Sequence, residues 1–219
     1  MPQQEGVIKF RLDYAEAPPV HGEQIVEINA WRQVLFRLGL VGRDTQRYGG
    51  YAFGNVSRRL DGTAAHCRFL VSGTQTGGLA ELDSGHYATV LDCDIDANRL
   101  SARGPIRPSS EALTHAAVYV CDETVRFVMH AHCPEIWQWA EALRLPTTPA
   151  QAAYGTPEMA TEVERLFART DVKARGLFAM GGHEDGIVSF GATAEQAGQA
   201  LVGCLARALA LAADEGGGE

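Results

Sequence analysis

Strand-like and helix-like stretches alternate irregularly along this chain, and several neighbouring strands are joined by turns too short to hold a crossover helix. Residues 51–57 and 67–71 read as strands around an Asp61-Gly62 turn, and 87–92 and 99–102 as a second pair around residues 94–98. Such hairpins make antiparallel neighbours, whereas parallel ones need a connection of about a dozen residues or more. Helical periods lie between the strands. Ile25, Ile28, Trp31, Leu35 and Leu38 recur at spacings of three and four over 23–38, ended by Gly39 and Gly42. A helix over 111–120 follows Pro108-Ser109-Ser110, and Pro134 opens one through Leu143. Thr156-Pro157-Glu158 starts another to about Ala168, and the capping box Thr193-Ala194-Glu195-Gln196 opens a long Ala- and Leu-rich helix to about Ala213. Residues 125–132, 177–180 and 186–190 read as further strands, and 144–154, with Pro146 and Pro149, as a loop. The mixture predicts an α/β fold with a mixed sheet and helices on both faces, not a doubly wound parallel sheet.

The chain divides into an arm (1–22), one domain (23–213) and a Gly-rich, frayed tail (214–219). The arm carries the alternation Val7-Ile8-Lys9-Phe10-Arg11-Leu12, which points Lys9 away from the apolar side and into solvent. At 219 residues and 46% hydrophobic the chain can bury a sizeable core. Its net charge of −8 argues against a nucleic-acid binder but leaves room for a small anionic substrate at one local site. No apolar run approaches the roughly 20 residues of a membrane span, and the first residues lack signal-peptide features. Five cysteines without metal-site spacing read mostly as buried thiols, and the expected compartment is a reducing cytoplasm. Only two of the 19 basic residues are lysines, Lys9 in the arm and Lys173 in an expected loop. A Schiff-base mechanism, which needs a lysine amine in a pocket, is therefore not expected.

Of seven histidines, two form His130-Ala131-His132 at the end of an apolar strand. Positions i and i+2 of a strand face one side, so two imidazoles can converge on one divalent ion such as zinc. An isolated pair of this kind also occurs as surface or capping histidines. Here the pair runs into Pro134 at a strand-to-helix edge, where sites collect. A third histidine, His183, lies in the glycine-flanked turn Gly181-Gly182-His183-Glu184-Asp185-Gly186, and Glu111 begins a helix just before the paired-histidine strand. Three histidines leave a coordination position open, and an ion there can act as a Lewis acid on a carbonyl oxygen and stabilise an enediolate. Glu111 is the candidate proton-transferring carboxylate. A first-turn Glu also complements the helix dipole, which is its ordinary structural use.

Three short segments have the composition of anion cradles: Gly54-Asn55 before Val56-Ser57-Arg58, Ser72-Gly73-Thr74-Gln75-Thr76-Gly77-Gly78, and Pro108-Ser109-Ser110-Glu111 at a helix start. Amides and hydroxyls of this type hold phosphate without a lysine. Each alone is equally ordinary turn chemistry. No nucleotide-binding glycine loop is present in the sequence. His115, one turn after Glu111, reads as a packed helix histidine; Trp137 and Trp139, two apart on a helix, cannot share one face; His21, His66 and His86 read as surface or turn residues.

Taken together, Gly54-Asn55-Val56-Ser57, Ser72-Gly73, Pro108-Ser109-Ser110-Glu111 with His115 and Tyr119, His130-Ala131-His132, Tyr154-Gly155-Thr156 and Gly182-His183 resemble the class II aldolase/adducin family, in its order and approximate spacing over about 23–213. The resemblance implies a three-layer α/β/α sandwich around a mixed, largely antiparallel sheet, and a homotetramer with sites at subunit interfaces. It implies zinc, or another divalent ion such as manganese, on His130, His132 and His183, with Glu111 as acid/base. Asn55, Ser72, Gly73, Ser109 and Ser110 would surround the phosphate of a small substrate. The implied activity is an aldolase-type lyase working through a metal-stabilised enediolate. Epimerase, dehydratase and decarboxylase are the alternatives within that class. Adducin shares the fold as a scaffold but has lost the metal histidines, which are all kept here. The sequence departs from the family in four places: residues 145–151 lack the tyrosine that the aldolases use as proton donor, Cys133-Pro134 follows the histidine pair, Glu184-Asp185 follows the third histidine, and the arm has no counterpart in the short aldolases.

Overall fold

In the computed structural model, which describes residues 6–60 and 67–216, one sheet carries buried apolar side chains on both faces of β-strands through its middle and toward one edge. The Asp61-Gly62 turn, His66, residues 1–5 and the last three residues of the tail lie outside the described residues. In chain order the elements are β1 (Arg11–Glu16), α1 (Val26–Arg37), β2 (Gly42–Arg43), β3 (Ala52–Phe53), β4 (Asn55–Arg59), β5 (Phe69–Ser72), β6 (Tyr87–Asp94), β7 (Arg99–Gly104), α2 (Ala112–Cys121), β8 (Phe127–His132), α3 (Pro134–Gln138), β9 (Thr147–Thr148), α4 (Pro157–Arg169), α5 (Val172–Arg175), β10 (Leu177–Met180), β11 (Gly186–Gly191) and α6 (Ala194–Gly216). Nine strands form one sheet in the order β1-β7-β6-β5-β4-β8-β11-β10-β9, and only the two outermost pairs are parallel. This is the mixed, largely antiparallel sheet expected from the hairpin-rich sequence.

Alternation along the strands builds two cores. Val71, Val90, Val128, Phe178 and Val188 pack with α2 and α4 on one face. Leu70, Met129, Ala131, Ala179 and Ile187 pack with α1, α3 and α6 on the other. The result is three layers, with His130 and His132 in step with Val128 and so on the α2 side. Helix α4 shows how the sequence sets a layer. Thr156 caps it by accepting from the Met159 amide at 3.4 Å, Pro157 takes the first turn, and Met159, Val163, Leu166 and Phe167 form the buried stripe. Arg32 on α1 is 1% exposed; its guanidinium donates to the carbonyls of Thr76, Gly77 and Ala80 and so ties the loop after β5 to the helix.

Several elements differ from expectation. The arm's alternation does not start a strand at Val7: β1 begins at Arg11 and adds itself to β7 in parallel. The helix from Pro134 stops at Gln138 rather than Leu143, and the following turns bury Ala140 and Leu145. With Trp139 beyond the helix, helical spacing no longer separates it from Trp137, and both pack against the same core. The expected loop at 144–154 contains β9, and Lys173 lies on α5. Cys67, two residues before β5, and Cys93, near the end of β6, are disulfide-bonded; Cys121, Cys133 and Cys204 are the thiols. Helix α6 is long and apolar enough by length and composition alone to cross a membrane, a test that core helices also pass; here Ala194, Ala197, Leu201, Cys204 and Ala208 line a buried stripe against the sheet.

Candidate metal centre and anion site

Strand register brings the histidines together. His132 stands opposite Gly186 and His130 opposite Val188 on β11, while Asn55 on β4 stands opposite His130 on the other side. The turn between β10 and β11 carries His183 back over this edge. Its tight path needs Gly182: a Cβ there would stand 2.2 Å from the Ala152 carbonyl oxygen and 2.8 Å from that of Ala150. Gly182→Ala is therefore expected to displace the His183 turn, costing about 1–3 kcal/mol of stability and weakening divalent-metal binding. Thermal melts with and without zinc check this; an unchanged melting temperature and zinc affinity would contradict it.

One nitrogen from each of His130, His132 and His183 lies within 4.8 Å of the others. The Nε2 atoms of His132 and His183 are 3.1 Å apart. Glu111 reaches in from the start of α2, with Oε1 3.3 Å from His183 Nε2 and 3.9 Å from His130 Nε2. All four side chains are at most 3% exposed. Burial holds the His130 imidazole down at about 4 and those of His132 and His183 well below their ordinary value, neighbouring imidazoles adding to the effect for the latter two. The rings are therefore neutral near pH 7, the form that binds a metal. His130 Nδ1 lies 3.3 Å from the Ile187 carbonyl oxygen. A carbonyl only accepts, so Nδ1 carries the proton and the Nε2 lone pair faces the cluster. His130 Nε2 is buried without a hydrogen-bond partner. A polar atom in that position fits a metal ligand, and the donor set, neutral imidazoles with a carboxylate beside them, suits zinc or a similar divalent ion.

The three anion segments also meet. Gly73 bridges to Pro108, the Ser109 amide donates to the Ser72 carbonyl at 3.2 Å, and Ser72 Oγ accepts from the Val56 amide beside Asn55 at 3.1 Å. Asn55, Ser72, Ser109 and Ser110 are all at most 5% exposed, and Asn55 Oδ1 has no hydrogen-bond partner. His115 is more than a packing residue. Its Nδ1 is 2.6 Å from Ser57 Oγ, which is 2.8 Å from Tyr119 Oη, so a buried polar chain fastens α2 to β4 beside the histidines.

The family model of the class II aldolase and adducin N-terminal domain matches residues 43–210. The chain belongs to the class II aldolase/adducin family. Solved structures of similar fold include a sugar-phosphate aldolase from Thermotoga maritima (14% identity, TM-score 0.66, covering 90% of this chain and 97% of that one). An L-fuculose-1-phosphate aldolase from Thermus thermophilus aligns at 19% identity and TM-score 0.61, over 87% and 95% of the two chains. YgbL from Escherichia coli, for which aldolase, epimerase and decarboxylase are all held open, aligns at 18% identity and TM-score 0.61, over 82% and 84%. At these identities the likeness is one of fold. No curated protein matches the sequence closely enough to count as a relative.

Other residues of this family member also reach the site, Arg47, Tyr48 and Lys9 without having been expected there. Asp185, 2% exposed, accepts from Arg47 and from Tyr48 Oη, each at 2.6 Å, and the Tyr48 ring stands edge-on to His132 with centroids 4.5 Å apart. Burial, then the hydrogen bond to Asp185, raises the Tyr48 phenol above its ordinary value, so it stays protonated. Of the two carboxylates after His183, only Asp185 turns inward; Glu184 is exposed. The Tyr154 ring packs against His183 at 4.7 Å. Lys9 is not solvated in an arm: its ammonium lies 3.6 Å from the centre of the Tyr154 ring. The strand begins two residues after Lys9, so the alternation that pointed it outward does not apply. Lys173 is far from this chemistry, paired with Asp122 at 3.2 Å. His86 is a turn residue, closing a capping box with Asp83, and His21 is exposed.

Proposed function

We propose that this chain is a metal-dependent lyase of the aldolase type acting on a small sugar phosphate or related phosphorylated carbonyl compound. The convergence of three buried, neutral imidazoles within 4.8 Å beside the Glu111 carboxylate carries this reading. His130, His132 and His183 would hold the ion, zinc first and manganese as the alternative. When bound, it would supply Lewis acidity, polarising a substrate carbonyl and stabilising negative charge that develops on substrate oxygens. Glu111 would take a proton from a substrate hydroxyl and return it to carbon. Asn55, Ser72, Gly73, Ser109 and Ser110 would fix the phosphate and thereby orient the bond to be broken.

A second reading stays in the same chemical class: epimerase, dehydratase or decarboxylase. It is favoured by residues 145–151, which carry no tyrosine and whose Thr147–Thr148 segment is drawn into the sheet as β9. A non-catalytic, adducin-like role is the weakest of the three, because all three histidines and Glu111 are present and buried together. The remaining expectations are a homotetramer and a cytoplasmic location. In a reducing cytoplasm Cys67 and Cys93 would be a dithiol. The reaction is tested by incubating zinc- and manganese-loaded protein with short sugar phosphates and phosphorylated keto acids, reading aldehyde, CO2 and epimer. Turnover of one of these supports the proposal. Failure to take up any divalent ion overturns it.

A further inference from the structure

The functional reading leaves the substrate phosphate among hydroxyls, an amide side chain and backbone, with no cation among Asn55, Ser72, Gly73, Ser109 and Ser110. A dianion taken into so buried a place needs a counter-charge, because removing it from water costs several kcal/mol that neutral donors only partly offset. The N-terminal segment brings one. Residues 6–10 precede β1 and run along the edge of the site. Gly6 sits against the side chain of Gln75, whose Oε1 accepts from the Ala52 amide at 3.2 Å. The Val7 carbonyl accepts from Tyr154 Oη at 3.4 Å, and the Lys9 carbonyl from Asn98 Nδ2 at 3.1 Å. The segment is thus fastened to the loop after β5, to the Tyr154-Gly155 turn and to the β6–β7 hairpin. Lys9 is half-buried where it crosses. Its ammonium stands over the Tyr154 ring, which itself packs on His183. Its Cβ lies 3.9 Å from the point where a Gly155 Cβ would stand, and that point is 2.9 Å from the Ser110 carbonyl oxygen.

We infer that Lys9 is a substrate-binding residue whose ammonium provides the counter-charge for the phosphate held at Ser109 and Ser110, beside the three-histidine centre. This rests on the metal-and-phosphate reading of the site and adds to it a ligand from outside the segment matched by the family model, which begins at residue 43. The arm is then part of the binding site, and Tyr154 is the platform that aims the lysine.

Zinc-loaded protein titrated with inorganic phosphate tests this, with zinc content measured on every variant. Lys9→Met keeps the apolar stem and removes the charge; it is expected to weaken phosphate binding at least tenfold, about the loss of one charge-assisted hydrogen bond. Lys9→Arg is expected to stay within about threefold of the wild type. Zinc content should be unchanged in both. Since the chain has only two lysines, amine labelling read by mass spectrometry gives an independent result: phosphate should protect Lys9 and leave Lys173 unaffected. Wild-type phosphate affinity in Lys9→Met at full zinc content overturns the inference and leaves the metal centre standing. Loss of zinc together with phosphate in Lys9→Met overturns it in favour of a structural role. If the wild type binds zinc but no phosphate, the inference falls with the anion site; if it binds neither, the functional reading has failed as well. Dependence on Lys9 for glycolate but not for phosphate would place a carboxylate, not the phosphate, at the ammonium and so overturn the assignment.

Discussion

Replacing His130 by alanine is expected to lower zinc affinity by at least about a hundredfold and to remove turnover with it. The magnitude follows from the ligand set. Mutating even the outer partners of a metal site commonly costs ten- to a hundredfold, and His130 would be a direct ligand. Its ring is held by the Ile187 carbonyl on one side and faces the cluster with the other nitrogen. It is also held within the sheet, between Asn55 on β4 and Val188 on β11. The variant should fold, because the ring belongs to the polar edge of the α2-side core, not to its apolar cluster. Zinc titration against a competing chelator, with circular dichroism as the folding control, reads the result. Unchanged affinity would mean that the imidazoles serve only packing.

Glu111→Gln is expected to separate metal binding from proton transfer. The amide keeps the shape and hydrogen-bonding capacity of the carboxylate at the start of α2 but cannot take a proton. Loss of a positioned general base or acid typically costs about 10²–10⁴-fold in rate, and zinc should remain bound because three imidazoles hold it. Steady-state rates on whichever phosphorylated substrate turns over, with zinc content measured on the same samples, test this. Turnover within tenfold of the wild type would sink the acid/base role and return Glu111 to a helix-terminal residue balancing the dipole.

The parts of this site that follow a local period were legible in the sequence. His130 and His132 share a face because a strand repeats every two residues, and Val125 to Met129 marked that strand as apolar. The helix start was visible as Pro108-Ser109-Ser110 ahead of an apolar helical stretch, and the hairpins foretold a sheet antiparallel through its middle. What could not be read was contact between segments far apart in the chain. Lys9 meets Tyr154 and Tyr48 meets Asp185 through the assembled sheet, and no short-range pattern encodes either meeting. The alternation at 7–12 was misleading in a specific way. Its regularity is that of a strand, but the strand starts at Arg11, and the four residues before it follow the site's edge instead. The Cys67–Cys93 pair was hidden for a related reason: the two meet only because β5 and β6 are neighbours. The short α3 ends early because the chain must turn to bury Ala140 and Leu145 before entering β9, a demand of the core that helix propensity over 134–143 does not reveal.

X-ray absorption at the zinc edge on the stoichiometrically loaded protein tests the central assignment most directly. Zinc held by His130, His132 and His183 predicts a first shell of about three imidazole nitrogens at roughly 2.0–2.1 Å with one or two oxygens, and loss of one imidazole from that shell in His130→Ala. A shell containing sulfur, or one unaltered by His130→Ala, would place the metal elsewhere and contradict the account.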